Sequence, residues 1–273
     1  MYFKVSKKEF YNALSVASRA ISTFSPLPAF SGIKIDAKED CLILTGSDSD
    51  VSIQTKLTKS EECVLEIRDM GSIVIEAKYI LEIVRKIDAD EIEFEMIDGS
   101  LTKISGNTAE FRINGMRANE YPAIDFSKPK ECFALKEETL KKVILQTSFA
   151  TSDKETRPVL TGVNFHCEGN TLHCVATDSY RLAKKTIDIS ESLNFNITIP
   201  AKSLSEVVKT LEGEGEVEIA VNDKKAQFII HDTIVQTRLI DGVYPETSRL
   251  IPLQFDYELT IDSRDLLNAI DRA

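Results

Sequence analysis

Ser179 carries the strongest claim to chemistry in this sequence. It sits in the run Val175-Ala176-Thr177-Asp178-Ser179-Tyr180-Arg181-Leu182-Ala183, where hydroxyls, a carboxylate and a guanidinium fall together. A serine beside a base can attack an acyl group. The flanking residues do not make Gly-x-Ser-x-Gly, and His173, on the same strand, is poorly placed to reach Ser179 as its base. The favoured alternative is an Asx-type turn, whose side chains tie down the backbone. The other histidines, His166 and His231, also lie in strand-like stretches. No second ligand stands at metal spacing, so neither a metal site nor a cofactor is expected. The five cysteines are odd in number and form no C-x-x-C pair. Cys167 and Cys174 could face each other across a hairpin, but reduced strand residues are expected.

The elements that must position this knot occur twice. Pro28-Ala29-Phe30-Ser31-Gly32 is answered 130 residues later by Pro158-Val159-Leu160-Thr161-Gly162, and Asp48-Ser49 by Asp178-Ser179. Between Thr161 and Ala183 the pattern reads as a strand, a turn at Glu168-Gly169-Asn170 and a second strand. A repeat this long signals duplicated domains. The copies diverge after Asp-Ser: Asp50-Val51-Ser52 in the first, Tyr180-Arg181-Leu182 in the second. Tyrosine, arginine and leucine are common anchors for peptide recognition, so the second copy is expected to serve more than folding.

Hydrophobic periodicity places the remaining elements. A strand at 2–6 leads to a helix at 7–21, with Phe10, Leu14, Ala17 and Ile21 inward. Ser6 and Glu9 are spaced as a capping box. Strands follow near 31–37, 41–46, 50–57 and 62–67. A helix at 77–87 (Ala77, Ile80, Leu81 and Val84 inward) precedes strands at 91–97, 100–105 and 108–114. Residues 125–130 are polar and read as a linker. The pattern then restarts with a strand at 131–135, a helix at 137–149, the strands around the knot and a helix at 201–212. Tyr121-Pro122 and Tyr244-Pro245 close the two units. A third start appears at Leu259-Thr260-Ile261-Asp262 with Leu266, Leu267 and Ile270. It implies a third domain of which only the beginning is present, its remnant either disordered or packed on the second domain.

With 273 residues, 42% of them hydrophobic and 28% charged, the chain can bury two ordinary cores. No apolar run nears the length of a membrane helix, and the N-terminus has no secretory pattern, so a cytoplasmic protein is expected. The net charge of −11 argues against nucleic acid until its distribution is considered. Each of the four complete helices puts cations opposite its apolar stripe: Lys8 and Arg19, Lys78 and Arg85, Lys141, Lys202 and Lys209. Glu82 and Glu206 stand among them. If the helices lie side by side, they offer a positive face to a polyanion without reading bases.

The octapeptide Ala176-Thr177-Asp178-Ser179-Tyr180-Arg181-Leu182-Ala183 resembles the A-T-D-x-x-R-L-A signature of the bacterial DNA polymerase III beta subunits, the DNA sliding clamps. Leu27-Pro28 with Gly32, Arg157 through Gly162, and Tyr244-Pro245 to Ile251-Pro252 resemble other landmarks of that family. The resemblance spans all 273 residues in register. It implies an α+β fold of tandem DNA-clamp domains, each a duplicated β-α-β-β-β unit with helices on the inner face and antiparallel sheets outside. The implied domains are 1–124, 125–252 and the truncated start of a third at 253–273.

It further implies a non-catalytic processivity factor of DNA replication, a head-to-tail homodimer ring around double-stranded DNA. A clamp loader places such rings, which then tether the DNA polymerase III catalytic subunit and other clamp-binding proteins. The implied partner-peptide pocket comprises Leu160, Thr177, Ser179, Tyr180, Arg181, Leu182, Pro245, Arg249 and Leu250. The family often has a DNA-contacting arginine before Leu27-Pro28, where this chain has Phe24-Ser25. With its third domain cut short, the chain is expected not to form the normal ring and to bind partner peptides weakly. The competing expectation is a non-catalytic interaction module without a DNA role.

Overall fold

The computed structural model describes residues 1–22, 27–154, 156–252 and 254–273. The loop pair Phe24-Ser25 lies outside the described residues. The chain divides into two compact units, Met1–Gly242 and Val243–Ala273.

In the first unit, β1 (Tyr2–Ser6) turns Phe3 and Val5 inward, both fully buried. α1 (Lys7–Ser18) follows and buries Phe10, Leu14 and Ala17 along one stripe. The helix stops at Ser18 rather than Ile21, because Ala20 and Ile21 bond the Ala17 and Ser18 carbonyls in a tightened turn. The capping box does not form. The Ser6 hydroxyl instead accepts the Val64 N–H at 2.8 Å, and a cross-strand bond has taken the side chain a cap would use.

β2 (Gly32–Ala37), β3 (Cys41–Ser47) and β4 (Val51–Thr58) make an antiparallel meander. β5 (Leu65–Asp69) begins three residues later than expected and pairs with β1 at a sheet edge. The strand leading into the second helix is β6 (Gly71–Glu76), which pairs with β2 and was not anticipated. α2 (Ala77–Lys86), β7 (Glu91–Asp98), β8 (Leu101–Gly106) and β9 (Ala109–Asn114) complete the first module. β1-α1-β2-β3-β4 and β6-α2-β7-β8-β9 are thus the duplicated β-α-β-β-β halves. Phe3, Phe10 and Phe94 fill the core between them, with Phe3 stacked on Phe94 at 4.7 Å.

The second module repeats this plan. β11 (Glu131–Lys136), after the short β10 (Met116–Arg117), leads into α3 (Glu137–Thr147), which buries Leu140, Val143, Ile144 and Thr147. α3 gives way at Ser148–Ala150 to a 3-10 turn. β12 (Gly162–Thr177) reverses within its length. Gly169 takes φ 63°, and the His166 and His173 rings stand 6.4 Å apart, where seven residues of straight strand would separate them by about 23 Å. Its arms pair with two arms of β13 (Leu182–Pro200): Thr171–Thr177 with Leu182–Asp188, and Gly162–Gly169 with Leu193–Pro200. α4 (Ala201–Thr210), β14 (Glu216–Val221), β15 (Lys225–Ile230) and β16 (Thr233–Arg238) finish the module. Residues 125–130 are strapped to this sheet rather than free: Lys225 Nζ donates to the Asp125 carbonyl at 2.7 Å and Gln227 Nε2 to that of Phe126 at 3.1 Å.

The Pro-x-x-[Ser/Thr]-Gly motif acquires a physical reason in both copies. The proline opens a 3-10 turn, and the hydroxyl returns to its carbonyl: Ser31 to Pro28 at 2.7 Å, Thr161 to Pro158 at 2.8 Å. The glycine then meets a neighbouring strand too closely for a side chain, since a Cβ on Gly162 would lie 2.6 Å from the Ile199 carbonyl oxygen.

The modules join through β4 and β16, which pair antiparallel from Val51↔Thr237 to Thr55↔Thr233. This seam makes one nine-stranded sheet from strands of both modules. Ile53 and Val235 are opposite each other and fully buried, and Thr55 and Thr233 share a hydroxyl bond of 2.9 Å.

In the second unit, α5 (Ser263–Asp271) is capped by Asp262, whose carboxylate accepts from Arg264 and Asp265. None of its side chains is buried, and the strand expected at 259–262 is not formed. A strand without its sheet partners leaves its backbone groups unpaired, whereas a helix satisfies them internally.

Candidate nucleic-acid interface and peptide site

The four helices of the first unit form a row. α1 lies beside α2 and α3 beside α4. Between these pairs, Arg19 reaches across to donate to the Lys209 carbonyl at 2.7 Å. The order is therefore α2, α1, α4, α3. Each helix buries its apolar stripe on the sheets, which leaves the other face outward. Lys8, Arg19, Lys78, Arg85, Lys141, Lys202 and Lys209 are all exposed there.

They are not equivalent. Arg85 is held by Glu82 at 2.8 Å and Lys209 by Glu206 at 2.7 Å. Glu82 is accordingly depressed below the usual carboxylate range, first by its bond from Arg85 and then by Lys86. Lys8 is exposed and approaches Glu9 only at 3.7 Å. Among the described residues, Lys78, Lys141 and Lys202 have no carboxylate within bridging distance. Each helix thus keeps one cation weakly paired or unpaired.

The Thr-Asp-Ser knot is a hydrogen-bonded turn, and it is the same turn in both copies. Asp178 Oδ1 accepts the backbone N–H of Tyr180 and of Arg181, at 2.9 and 3.0 Å. Asp48 Oδ1 likewise accepts from Asp50 and Val51. The hydroxyl of Thr177 donates to the Arg181 carbonyl at 2.7 Å, as that of Ser47 does to Val51 at 3.0 Å. Ser179 and Ser49 both take positive φ, 81° and 87°. Such strain in a non-glycine residue persists where surrounding bonds over-determine it.

What differs is the use of each turn. In the first copy Val51 enters the module seam, and Arg238 N–H bonds the Asp50 carbonyl. In the second, Tyr180 stands 96% exposed and the Arg181 side chain about half exposed. Arg157 donates to the Ser179 hydroxyl at 3.2 Å. Leu160 is buried, at 2% exposure, and Thr177 and half-buried Leu182 flank the turn. Pro245, Arg249 and Leu250 belong to the second unit, where Ser248–Leu250 form a 3-10 turn with Arg249 and Leu250 exposed.

Among the described residues, the candidate nucleophile and base are bonded to other partners. Ser179 Oγ is taken by Arg157, and His173 Nδ1 bonds Thr186 Oγ1 at 2.9 Å. The five cysteines are free, and burial pushes the Cys174 thiol up, away from the reactive thiolate.

Two family models match the chain: "DNA polymerase III beta subunit, N-terminal domain" over residues 1–125 and "DNA polymerase III beta subunit, central domain" over 134–246. The beta sliding clamp of Bacillus subtilis (strain 168) is 38% identical over 278 residues, covering all of this chain and 74% of the relative. This chain belongs to the family of DNA polymerase III beta sliding clamps.

Solved clamps agree in fold. The crystal structure of the DNA polymerase sliding clamp from Bacillus subtilis matches with a TM-score of 0.97 at 36% identity, covering all of this chain and 73% of that one. The DNA polymerase III beta chain from Streptococcus pneumoniae TIGR4 matches at 0.94 and 32% identity, over 99% and 73%. Sliding clamps are non-catalytic processivity factors, which fits a knot built as a bonded turn. Among the described residues, no helix is long and apolar enough to cross a membrane.

Two features of the site escaped the sequence. Arg19 is spent partly on a neighbouring helix, and Phe149 lies under Arg181, its ring centroid 5.8 Å from the guanidinium carbon. A lone arginine past a helix end and a lone phenylalanine give no periodic signal.

Proposed function

We propose that the chain works as a processivity clamp that encircles duplex DNA with its helix row inward and holds partner proteins at the second knot. The module seam supports this furthest, because its two halves recur at the ends of the first unit. β9 is the counterpart of β16 at an offset of 124 residues, and it is an outer strand of its sheet. The Leu182–Asp188 arm is the counterpart of β4 at an offset of 130, and among the described residues it bonds only β12. A heterologous seam repeated at a constant angle closes a ring.

On this reading the modules are 1–124 and 125–252, with 253–273 beginning a third. The third module then meets β9 of a second copy, and the homodimer closes head to tail in the cytoplasm. Lys8, Arg19, Lys78, Arg85, Lys141, Lys202 and Lys209 face phosphates, so retention is sequence-blind and salt-sensitive. Leu160, Thr177, Ser179, Tyr180, Arg181 and Leu182 receive a short peptide with leucine or phenylalanine anchors. Its bearers are the DNA polymerase III catalytic subunit, the clamp loader and other clamp-binding proteins.

The test is topological. A protein carrying the complete third module, loaded on nicked circular duplex, stays with the circle through gel filtration and leaves when the DNA is cut. Equal loss from circle and line contradicts encirclement.

A further inference from the structure

We propose that Phe149 is the positioning residue that holds the Arg181 guanidinium for peptide recognition; this rests on the peptide-site reading above. Arg181 Nε donates to Asp178 Oδ2 at 3.0 Å. That contact alone holds a half-exposed side chain weakly, because water screens it. Asp178 is a fixed acceptor, since its other oxygen takes two backbone N–H groups. Phe149 supplies the second restraint, a ring whose centroid is 5.8 Å from the guanidinium carbon. An arginine over an aromatic face is attracted by the ring quadrupole.

The ring is itself well placed. It projects from the Ser148–Ala150 turn, which is anchored by buried Ala150 and by the Thr151 N–H bond to the Ser148 carbonyl. Phe149 is 57% exposed, so it contributes little to the core. With Nε and the ring face engaged, the terminal nitrogens of Arg181 bond no other described residue and remain available to a peptide carbonyl or carboxylate.

The internal repeat sharpens the assignment. The first-copy counterparts of Phe149 and Arg181, 130 residues earlier, are Arg19 and Val51. Arg19 bonds α4 and Val51 lies in the seam, so the first copy has no ring at the place of Phe149 and no guanidinium at the place of Arg181. The pair is confined to the knot that is free to recognise a partner.

The test takes a protein carrying this chain with the complete third module and compares it with its Phe149→Leu and Phe149→Tyr variants, each first checked for folding by circular dichroism. Two readouts are used: calorimetry with a short synthetic peptide bearing leucine and phenylalanine anchors, and the NMR shift of the Arg181 Nε proton without peptide. Phe149→Leu is expected to weaken peptide binding about threefold and to move the Nε proton downfield as the ring current is lost. Phe149→Tyr keeps both. Unchanged affinity in Phe149→Leu overturns the proposal. If the unsubstituted chain binds no peptide, the peptide-site reading fails instead. The Nε proton then decides the stack: a shift supports it, and an unmoved signal overturns it.

Discussion

The guanidinium of Arg19 donates to the backbone carbonyl of Lys209 at 2.7 Å, tying the end of α1 to the last turn of α4 across 190 residues of sequence. A cation there also complements the negative end of the α4 dipole. Arg19→Ala is expected to cost about 1 kcal/mol, or roughly 2–4 °C in Tm for a protein of this size. Lys209→Ala keeps the carbonyl and loses only a surface pair, so its Tm should stay close to that of the unsubstituted chain. Differential scanning calorimetry checks this, and equal losses in both variants would contradict it.

The seam makes the modules share a core. Ile53→Ala deletes a fully buried side chain opposite Val235. The expected loss is about 3 kcal/mol, within the range for such truncations. Urea unfolding followed by two probes, one in each module, should report coincident transitions. Destabilisation of the first module alone would show that the seam does not couple them.

Acid should loosen the second knot. The backbone N–H groups of Arg181 and Tyr180 hold the Asp178 carboxyl below its usual range, and the Arg181 side chain adds to the effect. A depressed folded-state pKa stabilises the protein above the unfolded value of about 3.9, and that contribution disappears as pH falls through the folded value. Asp178→Asn, which keeps an acceptor oxygen but cannot titrate, should flatten that acid limb. Urea midpoints measured from pH 6 down to pH 2 test this. Parallel curves would refute it.

Much of this was legible in the sequence. The helices follow from the 3.6-residue recurrence of residues such as Phe10, Leu14 and Ala17, and the duplication follows from exact offsets. The knot was readable as a turn because Asp178 and Thr177 are types that bond their own backbone. What escaped depends on partners distant in sequence. Ser6 was read as a cap, but Val64 claims its hydroxyl. The β4–β16 pairing leaves no periodic trace, because a strand edge does not encode its partner. Gly71–Glu76 lacks polar alternation, as β6 lies between β2 and β10, and it went unseen.

Partner recognition is best probed at Arg181. Arg181→Ala should leave the fold intact and weaken binding of a leucine- and phenylalanine-anchored peptide about tenfold. Leu160→Ala is less clean: at 2% exposure its truncation also opens the core. Calorimetry on Arg181→Ala with unchanged affinity would remove this residue from the site.

The central claim is that the helix row faces duplex DNA, and lysine accessibility tests it most directly. Acetylation of lysines on this chain is followed by mass spectrometry at low salt, with and without a duplex of arbitrary sequence. The account predicts protection at Lys8, Lys78, Lys141 and Lys202, lost as salt is raised, and none at the exposed lysines away from the helices, Lys38, Lys128 and Lys184. Protection of the latter set, or of both sets alike, would contradict it.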